Sequence, residues 1–193
     1  MKKLFVLFFL ILICLQLPAS AELKTSQNNT TPRYEGMIKN IKIPPSSFIY
    51  YIVEGDKATV EKLIEDGADP NFTYMRIPSV FFASYYKQYE ILDLLLSNGA
   101  DINKKCLGIT LLDFSVYNLN AESTRIAIDH KADFNIDKEG VEYLGYAIKK
   151  NNLELIKLFL DEGVIPDRYC IKKAKKLDDD NLKNLIIQKG EQK

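Results

Sequence analysis

Residues 65–72, EDGADPNF, end an apolar-patterned segment with glycine, alanine, aspartate, proline and asparagine in succession. The same pattern returns as GADIN from Gly99, as KADFN from Lys131 and, in decayed form, as GVIPD from Gly163, at a constant spacing of 32 residues. A fixed period of this length marks a chain built from stacked supersecondary units, so it decides the fold before any single element is assigned.

The residues before each turn follow the same period. Val60, Leu63 and Ile64 are followed by Leu92, Leu95 and Leu96, by Ile126, Ala127 and Ile128, and by Ile156, Phe159 and Leu160. Their helical intervals predict one apolar stripe per unit. Further upstream an aromatic recurs, Tyr50, Phe82, Phe114 and Tyr146, and packing between units is the simpler reading of that column. Breaker-like pairs lie between the two apolar stretches: Gly55-Asp56, Lys87-Gln88, Leu119-Asn120 and Asn151-Asn152. Each unit therefore reads as helix, short turn, helix, loop.

Loop chemistry supports this reading. Gly67, Gly99 and Gly163 suit the left-handed residue that ends many helices, and Lys131 replaces glycine at that position in the third unit. Asp69, Asp101 and Asp133, with Asn71, Asn103 and Asn135, can bond their own backbone and start the turn. The third unit has the most polar second helix, AESTRIAIDH, and is expected to be the softest.

On these residues the chain resembles the ankyrin-repeat family over about 45–190. The Gly108-Ile109-Thr110 lead-in is similar to the family's glycine-x-threonine, with Ser46 and Thr110 as expected helix caps and Pro78 in a first turn. The family's threonine-proline-leucine-histidine run is replaced by SSFI, PSVF, TLLD and EYLG, without histidine. The expected fold is all-α: an ankyrin-repeat solenoid of helix-turn-helix units with short hairpin-like loops. Its repeats are placed at 45–74, 75–106, 107–138 and 139–167, with a C-terminal capping repeat at 168–190 ending at Gly190. The charge run Lys172–Lys176 and Asp178–Asp180 fits a solvated cap.

The opening MKKLFVLFFLILICLQLPASA has two lysines, an apolar run and a small-residue cleavage pattern, the organisation of a signal peptide over 1–21. Residues 22–44 read as a polar spacer followed by a short covering element that Pro44 and Pro45 terminate. Export implies a periplasmic or secreted protein. Removing Lys2 and Lys3 turns 26 basic against 26 acidic residues into a slight acidic excess, which argues against nucleic acid as a partner. Cys106 and Cys170 lie two units apart, too far for a bridge in a stack of nearest neighbours, and are expected as free thiols or in an intermolecular bond.

Catalytic groups are scarce. His130 is the single histidine, and no metal-ligand spacing, phosphate-cradling loop or nucleophile elbow accompanies it. No cofactor, metal or small-molecule substrate is expected, and contact with a membrane is confined to export. The resemblance implies binding of a protein partner through loop tips and first helices. Its candidate residues are Tyr74, Met75 and Arg76, then Lys104 and Lys105, then Asp137, Lys138 and Glu139, with Tyr85 and Tyr117 on the first helices. TYMRIP stands out among these, because tyrosine, methionine and arginine are enriched at interfaces. An enzyme with an unrecognised site and a self-associating structural protein are the alternatives.

Overall fold

The computed structural model describes Ile38 and residues 41–191. The signal peptide and most of the polar spacer lie outside the described residues. Within them, helical pairs follow one another: α1 (Phe48–Glu54) and α2 (Lys57–Glu65), then α3 (Ser79–Tyr85) and α4 (Tyr89–Ser97). The third pair is α5 (Leu111–Tyr117) and α6 (Ala121–Asp129), and the fourth is α7 (Val141–Lys149) and α8 (Leu153–Asp161). The cap is α9 (Arg168–Ala174) with α10 (Asp180–Glu191). First helices pack on first helices from α1 through α9, and second helices on second helices from α2 through α8. A helical pair cannot bury its apolar stripe alone, and stacking is what makes the core continuous.

Most of the stripe residues are buried as their spacing requires, while Leu63, Ile64, Ile126 and Ile128 are half-buried. Val60, Leu92, Leu95, Leu96, Ala127, Ile156, Phe159 and Leu160 are buried. The aromatic column is buried at its centre, where Phe82 is 0% and Phe114 1% exposed, while Tyr50 and Tyr146 at its ends are half-buried. The ring contact between the second and third units runs from Phe81 to Phe114, with centroids 5.2 Å apart. Ile38 is buried at the N-terminal end, with Ile41 and Ile43 packed against the same cluster as a cover for the first unit.

Both turns of each of the four units before the cap hold a left-handed residue. At the outer turns this is Gly67, Gly99, Lys131 (φ 62°) and Gly163. Left-handed backbone costs a residue with a side chain about 1–2 kcal/mol, so Lys131 is strained where its three counterparts are not. At the inner turns it is Gly55, Lys87, Leu119 and Asn151, the first member of each breaker-like pair. In three units the second member caps the following helix, Asp56, Asn120 and Asn152 accepting from Thr59, Ser123 and Leu155 N–H, whereas Gln88 makes no such bond.

Several local expectations are corrected. The cap of α1 is Ser47, not Ser46: Ser46 is left-handed (φ 62°), whereas the extended Ser47 accepts from Tyr50 N–H. Pro78 is the residue before α3, not a member of its first turn. Gly190 does not stop α10 but lies inside it, where an added Cβ would come 2.7 Å from Ile171 Cδ1. Close packing, not helix termination, is the reason for glycine there. Ser123 and Thr124, which make α6 look polar, are buried and bonded to Ser84 and Ser115 hydroxyls at 3.0 Å each.

Candidate functional site

The loops between units carry two features: rungs that tie one unit to the next, and tips that stand away from the stack. The outer rungs come from the asparagines of the repeated turn. Asn71 Oδ1 accepts from Asp101 N–H at 2.7 Å, and Asn103 Oδ1 accepts from Asp133 N–H at 2.8 Å. Asn71 also donates to the Gly99 carbonyl. The inner rungs are side-chain amides that donate to a carbonyl one unit back: Gln88 to Val53, Asn120 to Ser84 and Asn152 to Leu119. In the sequence these residues read only as breakers. Their recurrence at 32 residues next to an obligatory left-handed position is the signal that marks them as ties.

In place of the family's histidine, Asp113 organises the start of α5. Its carboxylate accepts from the Thr110 backbone and hydroxyl at 2.8 Å each, while Thr110 Oγ1 accepts from Asp113 N–H, closing a capping box. Tyr143 donates to the same carboxylate from the next unit at 2.7 Å. Burial, reinforced by the Asp113 charge, holds the Tyr143 hydroxyl far above the usual tyrosine range.

The tip of the second unit is a hairpin. Thr73–Tyr74 (β1) pairs antiparallel with Ile77–Pro78 (β2), leaving Met75 and Arg76 as the two turn residues with φ of 50° and 69°. Positive φ at both positions is the type I′ pattern, which matches the twist of the flanking strands. In the third unit Cys106 pairs with Ile109 in the same way, leaving Leu107 and Gly108 with φ of 51° and 87°. Met75 is 58% and Leu107 61% exposed, and 32 residues separate them. Leu107 does not stand out in the sequence, because Gly108-Ile109-Thr110 reads there as a helix lead-in instead of as half of a two-residue turn.

The fourth unit differs. Residues 136–140 form a π-helical turn, with Asn135 Oδ1 accepting from both Asp137 and Lys138 N–H at 3.0 Å and Glu139 accepting from Asn135 N–H at 2.8 Å. Asp137, Lys138 and Glu139 therefore make a compact turn, not a projecting hairpin tip. A groove of about 330 Å³ opens between this turn and α5, bordered by Lys105, Asp113, Asp133, Glu139 and Tyr143.

The remaining candidates divide between scaffold and surface. Tyr74 is half-buried, donates to the Lys42 carbonyl at 2.9 Å and packs near Phe82, so it supports the hairpin. Arg76 is exposed. Lys104 reaches back to the Asn71 carbonyl at 3.3 Å, whereas Lys105 is exposed. Tyr85 stacks edge-on against Tyr86, and Tyr117 edge-on against both Tyr143 and Tyr146. Both are half-buried, in contrast to the fully buried phenylalanines one turn earlier. Tyr85 also borders a second groove, of about 520 Å³, with Tyr89, Asn120 and Glu154.

His130 Nε2 lies 2.7 Å from Asp93 Oδ1, joining α6 to α4 as a structural tie. Cys106 and Cys170 are buried, unpaired thiols in separate hydrophobic clusters. Burial raises both: Cys106 is pushed up with partial relief from Arg76, and Cys170 is pushed up to about 12 by burial with Asp167 adding to it.

Helical pairs tied by two sets of rungs, with hairpins carried at one edge, define a solenoid scaffold whose variable residues are displayed and whose repeated residues hold it together. Residues 80–169 match the family Ankyrin repeats (3 copies). Among solved structures, 134 chains match. One is the crystal structure of the ankyrin repeat domain of Bcl-3, a unique member of the IkappaB protein family, with TM-score 0.57 and 15% identity over 77% of this chain and 73% of that one. None of the curated proteins matches. Residues 80–169 are thus ankyrin repeats, and the described residues take the ankyrin-repeat fold.

Proposed function

We propose that the protein is an exported, non-catalytic binding module that engages a protein partner through its hairpin tips and the adjoining face of its first helices. The observation that carries this is the exposure of Met75 at the end of a hairpin whose flanking residues Tyr74 and Ile77 are anchored. A large apolar side chain held out by a rigid support is suited to seat in a partner's pocket. Export is supported by the lysine-led apolar leader with its Ala19-Ser20-Ala21 pattern. Retention in a periplasm-like space and release from the cell are both compatible with it.

A photocrosslinking amino acid at Met75, used in cells that make the protein, tests the reading. One defined protein adduct is expected at Met75 and none with the same probe at Lys175 in the cap. Adducts only between copies of this chain would point to self-association. Fractionation tests the export half, with protein confined to the cytoplasm counting against it.

A further inference from the structure

Met75 and Leu107 share three properties that a structural role does not require together. They sit at the same position of successive units, they are more than half exposed, and each is left-handed. Left-handed backbone is strained for a residue with a side chain, and asparagine followed by glycine is the sequence that relieves it in this turn. Leu119 is left-handed too, at an inner turn, but its side chain packs against the core and so recovers something for the strain. At Met75 and Leu107 nothing in the described fold does.

Basic groups outnumber acidic ones around the tips of the second and third units. Arg76 and Lys105 are exposed, and neither enters an ion pair among the described residues. Lys42, whose carbonyl supports Tyr74, is exposed, and the Lys104 ammonium reaches from the third unit's lead-in to the Asn71 carbonyl ahead of the first tip. The nearby acids Asp69 and Asp101 keep their charge, but each is turned to its own loop, accepting from the backbone two residues on. Beyond Lys105, Asp133 and Glu139 line the groove toward the fourth unit and would repel a carboxylate there.

We infer that the tips of the second and third units form one two-anchor site for a protein segment that carries carboxylates beside large apolar side chains. Met75 and Leu107 supply the apolar contacts, and Arg76, Lys104 and Lys105 supply the charge, which sets encounter rate and specificity more than raw affinity. The acids of the fourth unit confine the segment's carboxylates to the second and third. This rests on the tip-binding reading above and names the chemistry of its partner.

The test uses two double variants of the full chain. Met75→Asn with Leu107→Asn removes the apolar anchors while giving each turn its preferred residue, and Arg76→Gly with Lys105→Asn removes charge without adding strain. Both should melt no lower than wild type, and a clear drop for the asparagine pair would overturn the strain argument. Binding is read by anisotropy of labelled peptides alternating Asp or Glu with Leu or Phe, against the same peptides with Lys or Ser at the acidic positions. The acidic peptide should bind, each double variant should weaken it roughly tenfold, and raising salt from about 50 to about 300 mM should weaken it further. Equal binding of the three peptides overturns the proposal. Crosslinked partner capture, with the probe at Tyr85, separates the two readings: loss in the apolar variant but not in the charge variant leaves tip binding standing and sinks the acidic partner. No loss in either sinks both.

Discussion

The lead-ins to the third and fourth units begin alike and end differently. Asp101-Ile102-Asn103 and Asp133-Phe134-Asn135 place an asparagine at the same point of the same turn. Asn103 gives its side-chain oxygen to the next unit, whereas Asn135 gives it to Asp137 and Lys138 of its own turn. The reason is local. Glu139 reaches back to the Asn135 N–H and closes a helical turn, while in the third unit Leu107-Gly108 supplies the left-handed pair that closes a hairpin. One asparagine oxygen is thus either a rung between units or a cap within one, and the residues a few positions downstream decide which.

The largest expected effect comes from removing what the hairpin region stands on. Phe114 and Leu111 of α5 belong to the N-terminal cluster, and Leu112 and Val116 of the same helix to the C-terminal one. Phe114→Ala, at a side chain 1% exposed, should cost about 3–5 kcal/mol in urea unfolding. Hydrogen exchange should accelerate around Ile77–Ile109 before it does around Val141–Leu160, and uniform acceleration would show that the two regions are one cooperative unit.

Next come the asparagines themselves. Asn135→Ala removes a cap that satisfies two N–H groups and should cost about 1–2 kcal/mol, with Asn103→Ala, which breaks one exposed rung, costing about 1 kcal/mol or less. The order of the two urea midpoints checks the assignment of roles. Lys131→Gly, between the two lead-ins, should gain about 1 kcal/mol by relieving its left-handed backbone, and a loss would mean that the lysine makes a compensating contact.

The smallest effect concerns the thiols. Cys170 is raised to about 12 in the folded chain from an ordinary value near 9, so folding favours its protonated form. That contribution is complete below pH 9 and is lost as pH rises from there toward 12. Alkylation at pH 8 should be slow at both cysteines and speed up on unfolding, since the thiolate is the reactive form. Cys106, in the hairpin beneath Arg76, should react before Cys170, and the reverse order would mean that the cap opens more readily than the tip.

The period makes the architecture readable in the sequence, because glycine, aspartate and asparagine at fixed offsets do a backbone job that few other residues can. Fine positions are less accessible. Ser46 and Ser47 are chemically equivalent caps, and only the backbone of the turn after the two prolines, left-handed at Ser46 and extended at Ser47, decides between them. Gly190 carries the same letter as the helix-ending glycines but is set by proximity to Ile171, a tertiary fact. Among the site residues, Met75 and Arg76 are visible because TYMRIP is compositionally unusual, and Tyr74 looks the same but turns inward to Lys42. Leu107 is hidden by its family-like neighbours. Its alignment with Met75 becomes meaningful once both are known to sit at the first position of a two-residue turn.

Most of the bonds between units share a direction. Gln88, Asn120 and Asn152 donate backward, as do Asp101 and Asp133 N–H, Tyr143, Tyr146 and, from the cap, Lys189 to the Leu160 carbonyl. The acceptors lie in the part of the chain that is synthesised first. A growing polypeptide emerges in the same order, so each unit meets a template whose carbonyls and carboxylates are already fixed and contributes the hydrogens that complete it. Assembly from the N-terminal end can therefore proceed by annealing one unit at a time, with the outermost face presenting more acceptors than donors to the incoming unit.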